Sequence, residues 1–174
     1  MRQKEAVIEH YAPIFWELMR TPFRHGDLIW GIVPLYFGWL TNELTSDKAS
    51  YKTAIQTGFS FLWAGAHWSW QYLATRHAGA PRLTLDALFA VNVAVTLVVL
   101  TLGAVALFSG FRKRYPRFGS FLGHTRFGNY FMIAIFPVQS GYLAWSWDRV
   151  TAIGLFAVPI WVLLHFGLMP LRSK

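Results

Sequence analysis

Histidine is the side chain here best suited to hold a metal or haem iron, because its neutral imidazole ligates and it titrates near neutrality. Two of the six histidines, His67 and His165, occupy matching places in a repeated pattern. As an axial pair they would hold haem b and make the chain a redox subunit, provided both rings lie at one depth. The plainer role, a hydrogen bond from each to a neighbouring helix near a membrane interface, ranks ahead of haem. A second constellation is uncharged: Gln139, Ser140, Asn92 and Gln56 interrupt apolar stretches. Such groups suit helix–helix hydrogen bonds or a path for a small solute or ion. Gln139 and Ser140 stand out, because Pro137 and Gly141 bracket them. A helix broken there frees backbone carbonyls beside a polar pair, as in many transporter sites.

A third group is basic. Arg112, Lys113, Arg114, Arg117 and Arg126 lie in one stretch with no acid among them. Beside apolar helices this reads as a cytoplasmic loop facing anionic lipid headgroups or a partner protein, and a nucleic-acid partner is not expected. No metalloprotease, P-loop or Ser/His/Asp signature occurs. Arg20 and His25 match the loose spacing of some ribonucleases, but Pro22 between them makes this a chance match. Asp86 is the acid expected within a span, where it would cap its helix. The chain has no Cys, so disulfides, thiolate metal sites and Cys nucleophiles are excluded.

The elements that position these residues repeat. Arg24, Gly26, Ile32, Pro34, Gly38, Leu40, Thr53, Ala54, Ile55, Trp63 and His67 recur as Arg126, Gly128, Ile135, Pro137, Gly141, Leu143, Thr151, Ala152, Ile153, Trp161 and His165. These eleven identities require only a one-residue gap and a shorter loop in the second copy. They read as a duplicated helical hairpin. Asp27 and Asn129 precede their helices at equivalent places and read as N-caps.

Composition supplies the setting. The chain has 174 residues, 55% hydrophobic and 14% charged, with nine Trp and fifteen Phe. Soluble domains carry about 25% charged residues, so this composition belongs to the membrane class. Net charge is +8, and much of the excess sits in the basic stretch. Glu5, Glu9 and Glu17 interrupt the place of a signal-peptide apolar region.

Residues 3–19 place Val7, Tyr11, Ile14, Phe15 and Leu18 on one face, giving an amphipathic helix that lies at the interface or docks on the bundle. Pro13 should kink it, and Thr21-Pro22 should end it. Five hydrophobic helices follow: Leu28 to about Leu44, Thr53–Thr75, Leu83–Phe111, about Phe127–Trp147 and about Val150–Met169. A polar loop covers Thr41–Lys52, and a tight turn is expected at Asp148. Small-residue pairs Ala54/Gly58 and Gly65/Ser69 would let another helix approach closely.

Two topologies compete. With five crossings, Lys and Arg divide nine to seven between the sides, which decides nothing, and the hairpins form an inverted repeat. If the first and fourth helices are re-entrant at their Pro…Gly elements, the division is twelve to four and the repeats are parallel. A simple proline kink in a spanning helix is the more ordinary arrangement.

The reading is therefore an all-α, polytopic membrane protein of the cell membrane: one membrane domain over 1–174, with an amphipathic helix over 1–23, hairpin repeats over 24–76 and 126–172, a central helix over 83–111 and a cytoplasmic basic loop over 112–126. Its leading function is a small oligomeric channel or transporter for an ion or small solute. A non-catalytic anchor or sensor within a membrane complex and a haem-bearing redox subunit follow.

Overall fold

The computed structural model describes residues 2–44, 51–77, 87–112 and 126–171. Over these the chain forms six α-helices and a closing 3-10 turn: α1 (Arg2–Arg24), α2 (Gly26–Leu44), α3 (Tyr51–His77), α4 (Ala87–Arg112), α5 (Arg126–Gln139), α6 (Trp147–Leu168) and Met169–Leu171. Lys113, Arg114, Arg117 and Asp86 lie outside the described residues, and so do the side-chain surroundings of Arg126.

α1 is longer than its sequence pattern predicts. It continues through both Pro13 and Pro22 to Arg24. On the turn where Pro22 supplies no N–H, the Thr21 hydroxyl donates to the Glu17 carbonyl at 2.6 Å. Packing also holds it, since Phe15 and Leu18 are buried and Phe15 lies against Phe156 of α6. The amphipathic face is thus docked on the bundle, the second of the two placements its pattern allowed.

Pairwise contacts fix the directions. Asn42 meets Thr57 while Asp27 meets Gln71, so α2 and α3 are antiparallel. Gly58 meets Gly103 and Trp68 meets Thr96, so α3 and α4 are antiparallel as well. Gly38 lies by Asn129 and Gly31 by Phe136, which sets α5 against α2. Successive helices alternate, and the leading helices of the two hairpins run oppositely.

The two Pro…Gly elements behave differently. α2 passes through Pro34 and Gly38 without interruption and does not turn back, against the re-entrant alternative. Its 19 residues cover about 28 Å. α5 stops at Gln139, well short of the expected Trp147. There Gly141 takes φ 83°, the left-handed conformation that ends many helices. The Pro137 carbonyl accepts the N–H groups of both Tyr142 and Leu143 at 3.1 Å. The chain then runs without helix to Ser146, whose hydroxyl accepts the Arg149 N–H at 3.2 Å and caps α6. The expected tight turn at Asp148 is therefore this longer segment, and Asp148 belongs to the first turn of α6.

Among the described residues, two stretches, Phe89–Arg112 and Trp147–Leu171, are long and apolar enough to cross a membrane. Of the most apolar 18-residue window in each, 22% and 17% is buried, so neither is enclosed by the rest of the described chain. Val93, Leu97, Val98 and Phe108 on α4 and Leu155, Val158, Leu163 and Phe166 on α6 are exposed. Apolar surface of this extent marks contact with lipid or protein. The small residues of α3 are occupied within the chain: a Cβ on Gly58 would stand 2.6 Å from the Leu107 nitrogen and 2.8 Å from the Gly103 carbonyl of α4. The close approach they allow is to α4, which removes them as a face for a second copy.

Candidate functional site

The buried face of α2 recurs at Leu28, Ile32, Leu35, Asn42 and Glu43, so helical spacing carries it from apolar into polar residues without leaving the core. Glu43 is fully buried, and its Oε2 lies 3.0 Å from His165 Nδ1 on α6. The His165 side chain keeps 23% of its surface exposed. One position earlier, the Asn42 amide donates to the Thr57 hydroxyl at 3.1 Å. Sequence reasoning missed Glu43, which stands at the edge of a polar loop. The available signal was its register with Leu28, Ile32 and Leu35.

His67 lies against Gly31 and stacks on Phe136, with ring centroids 6.1 Å apart. Its Nδ1 is buried without a hydrogen-bond partner. The two repeat-equivalent histidines therefore touch α2 at positions 31 and 43, twelve residues or about 18 Å apart along the helix. One iron cannot take both as axial ligands. The predicted hydrogen bond to a neighbouring helix forms at His165.

Asn129 does not cap α5. The helix begins at Arg126, and Asn129 is fully buried one turn inside it, beside Gly38 and without a partner for either amide atom. Asp27, in the first turn of α2, accepts the Tyr142 hydroxyl. Burial first, then this hydrogen bond and the carboxylate charge, hold the Tyr142 phenol up at about 12.

No protein-family model, curated protein or solved structure matches this chain. The site must therefore be read from its own chemistry.

Gln139 ends α5 at 1% exposure with both amide atoms buried and unpartnered, and Ser140 beside it is fully buried. Gln139 and Asn92 line one cavity of about 220 Å³ with Ser69, Tyr72 and Thr96. Within it the Asn92 carbonyl oxygen accepts the Trp145 indole N–H at 2.8 Å, and Thr96 accepts that of Trp68 at 3.1 Å. Gln56 does not join this group: it precedes Ser69 by thirteen residues, about 20 Å along α3. The Arg112 guanidinium lies over the Phe108 ring at 4.4 Å at the far end of α4.

Together these residues form a series of polar groups at successive levels along α2 and α3. From the cavity at Asn92 and Gln139 it passes His67, then Ser60 and Asn129, then Thr57 and Asn42, and ends at Glu43 and His165. The Ser60 hydroxyl, midway, lies within hydrogen-bond distance of the Pro34 carbonyl at 3.2 Å and the Gln56 carbonyl at 2.9 Å. Buried polar side chains ordinarily have partners. Here two amides and one imidazole nitrogen within this series lack them.

Proposed function

We propose that the protein is an integral membrane transport protein for an ion or small polar solute, with five crossings formed by α2 to α6. The observation that carries this is the buried polar series between α2, α3 and α5, with its unpartnered Asn129 and Gln139 amides. An uncompensated buried amide costs about 1–3 kcal/mol, and a passing solute or water would supply the missing bonds. Glu43, His165 and His67 place titratable groups on the same route, so protons are among the ions it can serve.

Membrane placement rests on further features. Exposed Trp30, Trp70 and Trp147 surround the end where α2 and α6 begin and α3 finishes, and interfacial tryptophans take that position. When each segment is assigned to the helix end from which it departs, eleven Lys and Arg belong to the opposite end and five to the tryptophan end. That imbalance supports a cytoplasmic orientation for the opposite end, where α4 finishes at Arg112 and α5 begins at Arg126. The unequal division arises because α1 runs alongside the bundle, so that its first turn is counted with that end.

Reconstitution into sealed vesicles tests the reading. Proton flux is followed with an enclosed pH dye, and glycerol and urea entry by light scattering. Wild-type protein should conduct at least one of these well above empty vesicles. Asn129→Leu and Gln139→Leu should abolish that flux while melting no earlier than wild type. Flux equal to empty vesicles for all three probes, or undiminished flux in both variants, would end the proposal.

A further inference from the structure

Residues 140–146 leave the helices and are tied back to them from the side. The stretch starts beside Gln139, which lines the cavity of about 220 Å³, and returns to Asn92, which lines the same cavity. There the Trp145 indole N–H donates to the Asn92 carbonyl oxygen at 2.8 Å. Between these two points the Tyr142 hydroxyl donates to the Asp27 carboxylate, and the Tyr142 ring lies against His25 with ring centroids 4.5 Å apart. The stretch is thus bound to α4 at one place and to the junction of α1 and α2 at another.

The ties and what they cover differ in exposure. The bond between Tyr142 and Asp27 is exposed, so water replaces it readily once it breaks. Ser140 beneath is fully buried, and Gln139 is nearly so with neither amide atom partnered. Water admitted to Gln139 would make bonds that the closed arrangement lacks, which favours opening. Such movements are absorbed at the ends of elements. Here those ends are Gly141, with φ 83°, and the extended Ser146 that caps α6. We propose that residues 140–146 are a strap that opens and closes over Gln139 and Ser140 at the tryptophan end, with Tyr142 and Asp27 as its latch. Its use as a gate for solute rests on the transport reading, whereas the opening itself does not.

The chain has no Cys, so Ser140→Cys supplies a single buried thiol beneath the strap. Its rate of labelling by a water-soluble thiol reagent is measured in lipid nanodiscs. Adding Tyr142→Phe or Asp27→Ala should each raise that rate about 5-fold, the equilibrium factor for losing one hydrogen bond. Ala64→Cys, equally buried on α3, reports general loosening and should stay slow with either change. Labelling at position 140 that either latch variant leaves unchanged would overturn the inference. Acceleration at position 64 equal to that at position 140 would do the same. Flux through wild-type protein in sealed vesicles separates the two readings: faster labelling at position 140 alone supports the strap even where flux is absent and the transport reading falls.

Discussion

Removing His165 while leaving Glu43 tests the most consequential contact in the interior. Glu43 is fully buried, and its carboxylate lies 3.0 Å from the imidazole. Breaking a buried pair by deleting one partner costs about 3–5 kcal/mol, because the remaining polar group keeps its desolvation penalty. The low end applies here: His165 retains 23% of its side-chain exposure, and Glu43 has other interactions. His165→Leu should therefore destabilise by about 3 kcal/mol, which for a chain of this size lowers Tm by about 6–12 °C. Glu43→Leu combined with His165→Leu removes both polar groups and should return to within about 1 kcal/mol of wild type. Melting of purified protein in nonionic detergent, followed by tryptophan fluorescence, gives the three values for a double-mutant cycle. His67→Leu is the control, expected to be neutral or stabilising, because it removes an imidazole nitrogen that has no partner. Additive losses at Glu43 and His165, with no recovery in the double variant, would refute the reasoning.

Three further outcomes follow from the geometry. Gly58→Ala should destabilise by about 1–3 kcal/mol through its clash with the α4 backbone, whereas Gly154→Ala, with open space around it, should be neutral or slightly stabilising in the same melts. Gly141→Ala should cost about 1–2 kcal/mol because φ is 83° there, and Gly141→Asn should cost less. An unfolded Tyr142 phenol ionises near 10.0 and the folded one at about 12. Its contribution to stability is thus complete below pH 10 and is lost as pH rises through about 12. Melts of Tyr142→Phe across that window should show a shallower alkaline loss than wild type.

The helices were readable where apolar runs are long: α4 and α6 follow directly from residues such as Val93, Val98, Leu155 and Val158. The outcome at the two Pro…Gly elements was only partly so: they share Ile, Pro, Gly and Leu, and the polar pair Gln139-Ser140, which stands where the first has Tyr36-Phe37, hinted at the break without fixing it. At Pro34 the Ser60 hydroxyl of α3 meets the carbonyl and Gly38 packs against that serine, so the helix persists. At Pro137 the carbonyl instead takes Tyr142 and Leu143, so the helix ends. Of the candidate site residues, Gln139 and Asn92 come together in one cavity, whereas Gln56 does not, since spacing along a chain gives no cross-helix register. Glu43 escaped notice because its partner lies 122 positions away.

The docking of α1 has a consequence for how the chain is made. Phe15 rests on Phe156, so this part of the first helix is covered only when the last is made, although α2 and α5 pack against α1 earlier. The 140 intervening residues take roughly 7–30 s to synthesise at about 5–20 residues per second. During that interval the side of α1 that carries Phe15 stays open to the membrane surface or a chaperone. A chain stopped before α6 leaves Phe15 without Phe156. Termination between α5 and α6 should thus yield a product cleared by quality-control proteolysis, although four of the five hydrophobic helices would already be complete.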